Sequence, residues 1–444
     1  MIFSKSDIKK LVIPLLVEQF LAVAVGMADI IMVSSAGETA VSGVALVDLI
    51  NVLIINIFAA LGTGGAVVAS QLIGAKDMER AVRSANQLIY ITAIVSVTIM
   101  AVVLFIKQGL LHLLFGTVDD AVMDSALIYF TISALSYPFI ALYNSGAALF
   151  RAMGNSRISM ATSAVMNLIN IAGNAIFVYG CRMAAGGVAL SSLISRMIAS
   201  VIILALLHNK KNMIYVEKLF HFKFDFRIMK RILGIGIPSS LENSVFQLGR
   251  LLLVSMISTF GTAQIAANAV ANTLDGFAII PGQAMGLALI TVVGRCVGAD
   301  DWQQAKFYVK KLMKLTYIAM WCVNVLLMAV LPFVLKLYNL SDVSYRYAWI
   351  LIMIHSLCAM ILWPMSFTLP NALRASNDVR TTMVISIFSM IVFRLGFSRI
   401  LGINFGLEII GIWIAMVIDW IFRTICFILR VRKKIWKAPL VHNA

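Results

Sequence analysis

The acids Glu18, Asp29, Asp48, Glu242, Asp275 and Asp419 fall inside stretches of the chain that are otherwise almost wholly apolar. An aspartate at the middle of a membrane helix costs about 2.5 to 3.5 kcal/mol on insertion scales, so a function or a dedicated partner must justify each one. The chemistry open to such groups is reversible binding of H+ or of a small cation. Loss of water favours the protonated acid, and a cation brought close favours release of the proton. An acid that holds a proton or a cation, but not both, supports an exchange of the two.

Spacing sorts the polar residues into faces. Glu18 and Asp29 are eleven residues apart, which at about 100° per residue returns nearly to the same angle about three turns further on. Pro14 removes a backbone hydrogen bond ahead of them and makes that helix bendable. The two acids read either as a coupling pair or as caps at the membrane interface. Asn170 and Asn174 lie one turn apart on one face, and Ser192 and Arg196 follow on the next apolar stretch. Arg196 needs a partner there, for which the nearby carboxylates are candidates.

In the second half of the chain Asn243, Gln247 and Arg250 form an i, i+4, i+7 stripe with Glu242 beside it, and Arg250 is the expected partner of Glu242. Asn268, Asn272 and Asp275 make a second such face, matched in the first half by Asp48 and Asn51. These faces read as walls of an aqueous cavity, or alternatively as hydrogen bonds between packed helices. Asp419 and Arg423 are spaced i, i+4 with the acid first, the favourable order for an internal ion pair.

The elements that carry these residues must cross a membrane. Hydrophobic residues make up 61% of the chain and charged residues 13%, against about a quarter charged in soluble domains; the mean hydropathy is +0.95. Twelve apolar runs reach the ~20 residues needed to span the hydrocarbon layer. Six lie within 1–207 and six within 232–430. The expected fold is an all-α polytopic membrane protein, twelve transmembrane helices in two pseudo-symmetric six-helix lobes. A polar linker over 208–231 and a basic tail over 431–444 complete the expected organisation. The first run is too long for a removable signal peptide and reads as a spanning helix.

The lobes are expected because the sequence repeats itself. A constant offset of 224 puts Ile13-Pro14 on Ile237-Pro238, Glu18 on Glu242, Gly37 on Gly261, Gly62 on Gly286 and Gly74-Ala75 on Gly298-Ala299. Further on, Arg151 and Arg157 read against Arg374 and Arg380. Internal repeats of this length mark transporters built from related halves, and equal hydrophobic patterns running in one direction point to parallel lobes.

The net charge of +16 reflects topology and carries no nucleic-acid signal. Most of the basic residues cluster on one side of the twelve spans, at the Lys76, Arg151, 208–231, Lys306 and Arg374 segments and the C-terminal tail. Lys107, Arg182, Lys336, Arg346, Arg394 and Arg399 are assigned to the other side. This bias places both termini and the linker in the cytoplasm. The five cysteines are scattered singly without metal-binding spacing. With five histidines and no HExxH or hydrolytic triad pattern, a membrane enzyme is disfavoured.

Taken together, these residues resemble the multidrug and toxic compound extrusion (MATE) transporters, especially their DinF-like bacterial branch. Pro14 and Asp29 keep the family's first-helix spacing. In the fifth helix, where the family reads Asn-x-x-x-Asp-Pro, Asn170 matches while Asn174 replaces the acid and Ala175 the proline. Gly187 to Ser192 resembles the sixth-helix motif, with Ser192 at its threonine and Arg196 where glutamine is common. The resemblance implies a monomeric exporter of cationic or amphipathic small molecules in the bacterial cytoplasmic membrane. It works by alternating access, with H+ or Na+ as the counter-ion and no cofactor. It also implies an ion-coupling site at Asp29, Asn170, Asn174 and Ser192, to which Glu18 is added on its face. Substrate and cavity residues are then Glu242, Asn243, Gln247, Asp48, Asn51, Asn272, Asp275 and Arg196. A flippase for lipid-linked precursors shares the same superfamily fold and stands as the alternative, with Arg196 and Arg250 in its favour.

Overall fold

The computed structural model describes residues 2–35, 37–116, 119–217 and 223–432, apart from the side chain of Ile30. Part of the expected linker (218–222) and most of the expected tail (433–444) lie outside the described residues. Among the described residues all regular structure is helical. The first half holds α1 (Lys5–Ser34), α2 (Glu38–Gly74), α3 (Met78–Phe115), α4 (Asp120–Leu135), α5 (Tyr137–Ala152), α6 (Ser156–Asn174) and α7 (Ala184–Leu207). The second holds α8 (Phe226–Ser258), α9 (Thr262–Ala278), α10 (Ile280–Gly298), α11 (Trp302–Leu337), α12 (Asp342–Trp363), α13 (Leu369–Ala375), α14 (Val379–Ser389) and α15 (Glu408–Arg432).

Ten of these helical stretches are long and apolar enough to cross a bilayer, and α4 with α5, bent by 45° at Ser136, makes an eleventh. The remaining span is α8, whose load of Glu242, Asn243, Gln247 and Arg250 dilutes its apolar character. With α8 counted as a span, the described residues hold twelve, six in each half.

Two compact units divide the chain, one of Lys5–Ser240 and the other of the residues from Leu241 on together with the first four. The boundary falls inside α8, two residues after Pro238. Within the N-terminal unit α2 packs against α3, α4 and α5, while α6 packs against both α1 and α7. Within the C-terminal unit α9 packs on α12, α10 on α11 and α13, and α15 on α12. The core there gathers Trp363, Trp413 and Trp420 with Leu331, Leu335 and Leu351.

Local backbone geometry repeats with the sequence. Gly37 (φ 98) and Gly261 (φ 104) open α2 and α9, a left-handed conformation that favours glycine. Lys76 (φ 60) and Asp300 (φ 56) follow the ends of α2 and α10. The following aspartates then cap the next helix: Asp77 accepts from Arg80 N at 3.0 Å and Asp301 from Gln304 N at 2.9 Å. Each cap satisfies a backbone donor that a helix start leaves unpaired. All these pairs keep the offset of 224.

Wide helical turns of the π type follow α6 at Ala175–Gly180 and α14 at Met390–Gly396 and Ser398–Asn404. Such turns carry an extra residue and often sit at functional sites. They continue both helices.

Candidate functional site

Three elements of the N-terminal unit meet at Asn174, the last residue of α6, which is fully buried. Its Nδ2 donates to Asp29 Oδ1 on α1 at 2.7 Å and to Asn170 Oδ1 one turn back at 3.4 Å. Its Oδ1 accepts from Ser191 Oγ on α7. Asn170 Nδ2 in turn donates to Ser192 Oγ at 3.1 Å. The four residues expected to form the coupling site thus join one network, with Ser191 added. The close approach of α7 depends on Gly173, where a Cβ would lie 2.6 Å from Ser191 Cβ.

Asp48 and Asn51 build a second cluster in the same unit. Asn51 Nδ2 donates to Asp48 Oδ1 at 3.2 Å, and Tyr129 Oη on α4 donates to the same oxygen at 2.9 Å. Tyr137 Oη donates to Asn51 Oδ1 at 2.8 Å. Arg196 turns to Ser136 Oγ at 2.7 Å, at the bend between α4 and α5. Its expected carboxylate partner is therefore not in direct contact; the neutral hydroxyl meets the guanidinium instead.

Glu18 stands apart from Asp29. Arg151 Nη1 donates to its Oε1 at 3.0 Å and Ser159 Oγ to its Oε2 at 2.8 Å, so α1 is tied to α5 and α6. The repeat-equivalent acid Glu242 is held in the same manner, by Arg374 Nη2 at 2.7 Å. Arg423 Nη2 stands 3.8 Å from its other oxygen. Arg250 does not serve as this partner, contrary to expectation, because α8 points it toward α9, where it donates to Asn272 Oδ1 at 3.4 Å. Asn243 and Gln247 are half-buried on the same helix.

The remaining polar residues of the C-terminal unit gather around α9. Asn272 Nδ2 donates to Asn268 O at 2.9 Å, and Trp413 Nε1 donates to Asn268 Oδ1 at 3.2 Å. Asp275 Oδ1 meets His355 Nε2 of α12 at 2.5 Å, and the His355 ring lies edge-on to Trp413 and Trp420. Asp419 and Arg423 do not pair with each other as their spacing allows. Asp419 accepts from Ser389 Oγ, while Arg423 donates to Ser366 O at 3.1 Å. Arg394, assigned by sequence to the outer side, is buried in the turns after α14, 3.7 Å from Asp419 Oδ2.

Tyr129, Ser191, His355, Arg151, Arg374 and Arg394 are among the partners that the sequence does not announce. A lone histidine in the apolar run Met353-Ile354-His355 is itself a signal.

Twelve spans in two repeat-related halves, each with buried acids held by amides, hydroxyls or bases, define a multi-pass membrane transporter. The MatE family model matches residues 14–176 and again 238–400, and the chain belongs to that family. The second match begins at the same offset of 224 that the repeat shows. The uncharacterized transporter YisQ of Bacillus subtilis (strain 168) is 26% identical over 435 residues, 95% of this chain and 93% of that one. The probable multidrug resistance protein NorM of Thermotoga maritima is 22% identical over 427 residues, 95% and 90% of the two chains. A MOP superfamily transporter structure from Pyrococcus furiosus aligns with a TM-score of 0.91 at 24% identity, covering 98% and 97%. That last likeness speaks for the fold.

Proposed function

We propose that the chain is a secondary efflux transporter that exports amphipathic small molecules, organic cations among them, in exchange for inward-moving H+ or Na+. The observation that carries this reading is the hydrogen bond from Asn174 Nδ2 to Asp29 Oδ1 at 2.7 Å, inside a network that joins α1, α6 and α7. Asn174 donates to an ionised Asp29. When Asp29 takes a proton or binds a cation, that acceptor is altered and the link from α1 to α6 weakens. Pro14 leaves α1 able to bend in response. One carboxylate in the network means that one monovalent cation neutralises it, so ion and cationic substrate exclude each other there.

The names of relatives, multidrug resistance protein among them, support an exporter over other transport roles. In this reading the halves 1–207 and 232–430 alternate access, both termini are cytoplasmic, and the protein works as a monomer in the bacterial cytoplasmic membrane. The test is to place the purified protein in liposomes and follow internal pH and Na+ while an organic cation is added. Substrate-driven movement of either ion supports the reading. A flux of substrate that neither gradient influences contradicts it.

A further inference from the structure

One pocket of the C-terminal unit differs in chemistry from the acid-centred clusters of the N-terminal unit. It is lined by Arg250 and Arg394, by the amides of Asn268 and Asn272, and by an apolar wall that includes Trp413 and Met416. No carboxylate is among its lining residues.

The charges behind the wall are accounted for. Asp275 faces His355 at 2.5 Å. Asp419 accepts from Ser389 and stands 3.7 Å from Arg394. Arg250 has a neutral amide, Asn272, as its hydrogen-bond partner, and no ion pair among the described residues includes it. Arg394 is held over the Phe246 ring at 5.3 Å, and its buried Nε has no hydrogen-bond partner. Arg250 and Arg394 line a pocket that also offers an indole and aliphatic walls. Arginine forks match the oxygens of carboxylate, sulfonate or phosphate groups, and the aromatic and aliphatic walls suit an apolar body.

We propose that this pocket is a subsite for the anionic group of an amphipathic small molecule. The proposal deepens the exporter reading and rests on it for the meaning of the site: the substrates include zwitterions and organic anions, whose negative group Arg250 and Arg394 hold. Asn272 accepts from Arg250 and Asn268 holds Asn272 and Trp413, and the Trp413 indole lies against the apolar body.

The test uses two probes with the same body and opposite charge, 1-naphthalenesulfonate and 1-naphthylmethylammonium, in equilibrium dialysis against the purified full-length protein. The sulfonate is expected to bind about tenfold more tightly, the size of a charge-assisted hydrogen bond. Arg250→Gln is expected to lower sulfonate affinity about tenfold and leave the ammonium probe within about twofold. Arg250→Glu should invert the preference. Arg394→Gln should act like Arg250→Gln; where loss of its contact with Asp419 prevents folding, the series at the exposed Arg250 carries the test. Equal binding of the two probes, or sulfonate binding indifferent to Arg250, overturns the proposal. Ion-driven export by the wild-type protein is measured separately. Sulfonate selectivity that depends on Arg250 supports the pocket whatever that assay gives, and export without selectivity removes the pocket while leaving the exporter reading in place.

Discussion

Arg151 Nη1 lies 3.0 Å from Glu18 Oε1, both side chains largely withdrawn from solvent. At the equivalent place of the second half, Arg374 Nη2 lies 2.7 Å from Glu242 Oε2. The same acid–base tie joins the first helix of each half to the end of its fourth span. A carboxylate committed to a buried guanidinium is poorly placed to trade ions, so Glu18 is expected to secure α1 while Asp29 carries the exchange.

Removing one partner of such a buried pair costs roughly 3 to 5 kcal/mol, because the other charge is stranded. Glu18→Gln and Arg151→Met are each expected to lower the melting temperature of the purified protein by several degrees. The double variant should recover much of the loss. Additive losses in the double variant would show that the two side chains stabilise the fold independently. Folded Glu18→Gln protein should still respond to the driving gradient.

Gly173→Ala tests how closely α6 and α7 must approach. The added methyl would sit 2.6 Å from Ser191 Cβ, forcing the helices apart and breaking the Ser191 to Asn174 bond. Gradient-driven export is expected to fall about tenfold or more, in keeping with the loss of one buried hydrogen bond and its positioning, with little change in expression. Unchanged export would show that the bond is dispensable.

Asn174→Asp restores the second acid of the family pattern beside Asp29. Two carboxylates at hydrogen-bond distance cannot both ionise cheaply, so the variant is expected to bind one further cation per cycle. Measurement of ion-to-substrate stoichiometry in liposomes checks this; an unchanged ratio would argue against direct coupling at the Asp29–Asn174 pair.

His355 partners Asp275 at 2.5 Å in a site that is almost closed to water. His355→Ala leaves that acid without its closest partner and is expected to destabilise the protein by several degrees. Adding Asp275→Asn should restore much of it. A neutral effect of His355→Ala would mean that Arg250 or water compensates for the loss.

Much of this architecture is legible in the sequence because the repeat is. The offset of 224 forecasts that Gly37 and Gly261 occupy equivalent turns and puts Glu18 and Glu242 at equivalent positions. It does not show that both acids are held by an arginine, since the sequence reads Glu18 as an ion-coupling residue and Glu242 as a cavity residue. Helical spacing places Asn170 and Asn174 on one face; their grouping with Asp29 is what the resemblance to the MATE transporters implies, and the hydrogen bond from Asn174 to Asp29 agrees with it. Tertiary partners are less legible. Asp419 and Arg423 have the right spacing to pair, yet Ser389 and Arg394 compete for the acid from a separate helix. Arg394 is assigned by the charge bias to the outer side, whereas the structure sets it in the wide turns at Met390–Gly396, 3.7 Å from Asp419. Arg151 and Arg374 read as topology anchors, since no local spacing connects them to acids more than a hundred residues away.

The most direct test of the central claim is export by Asp29→Asn protein in liposomes under imposed pH and Na+ gradients, beside a binding measurement on the same preparation. Asparagine keeps the size of the side chain and can still accept from Asn174 Nδ2, but it can neither take up a proton nor neutralise a cation. The expected result is that gradient-dependent export is abolished while substrate binding remains measurable. Export by the variant that follows either gradient as the wild type does would contradict Asp29 as the coupling acid.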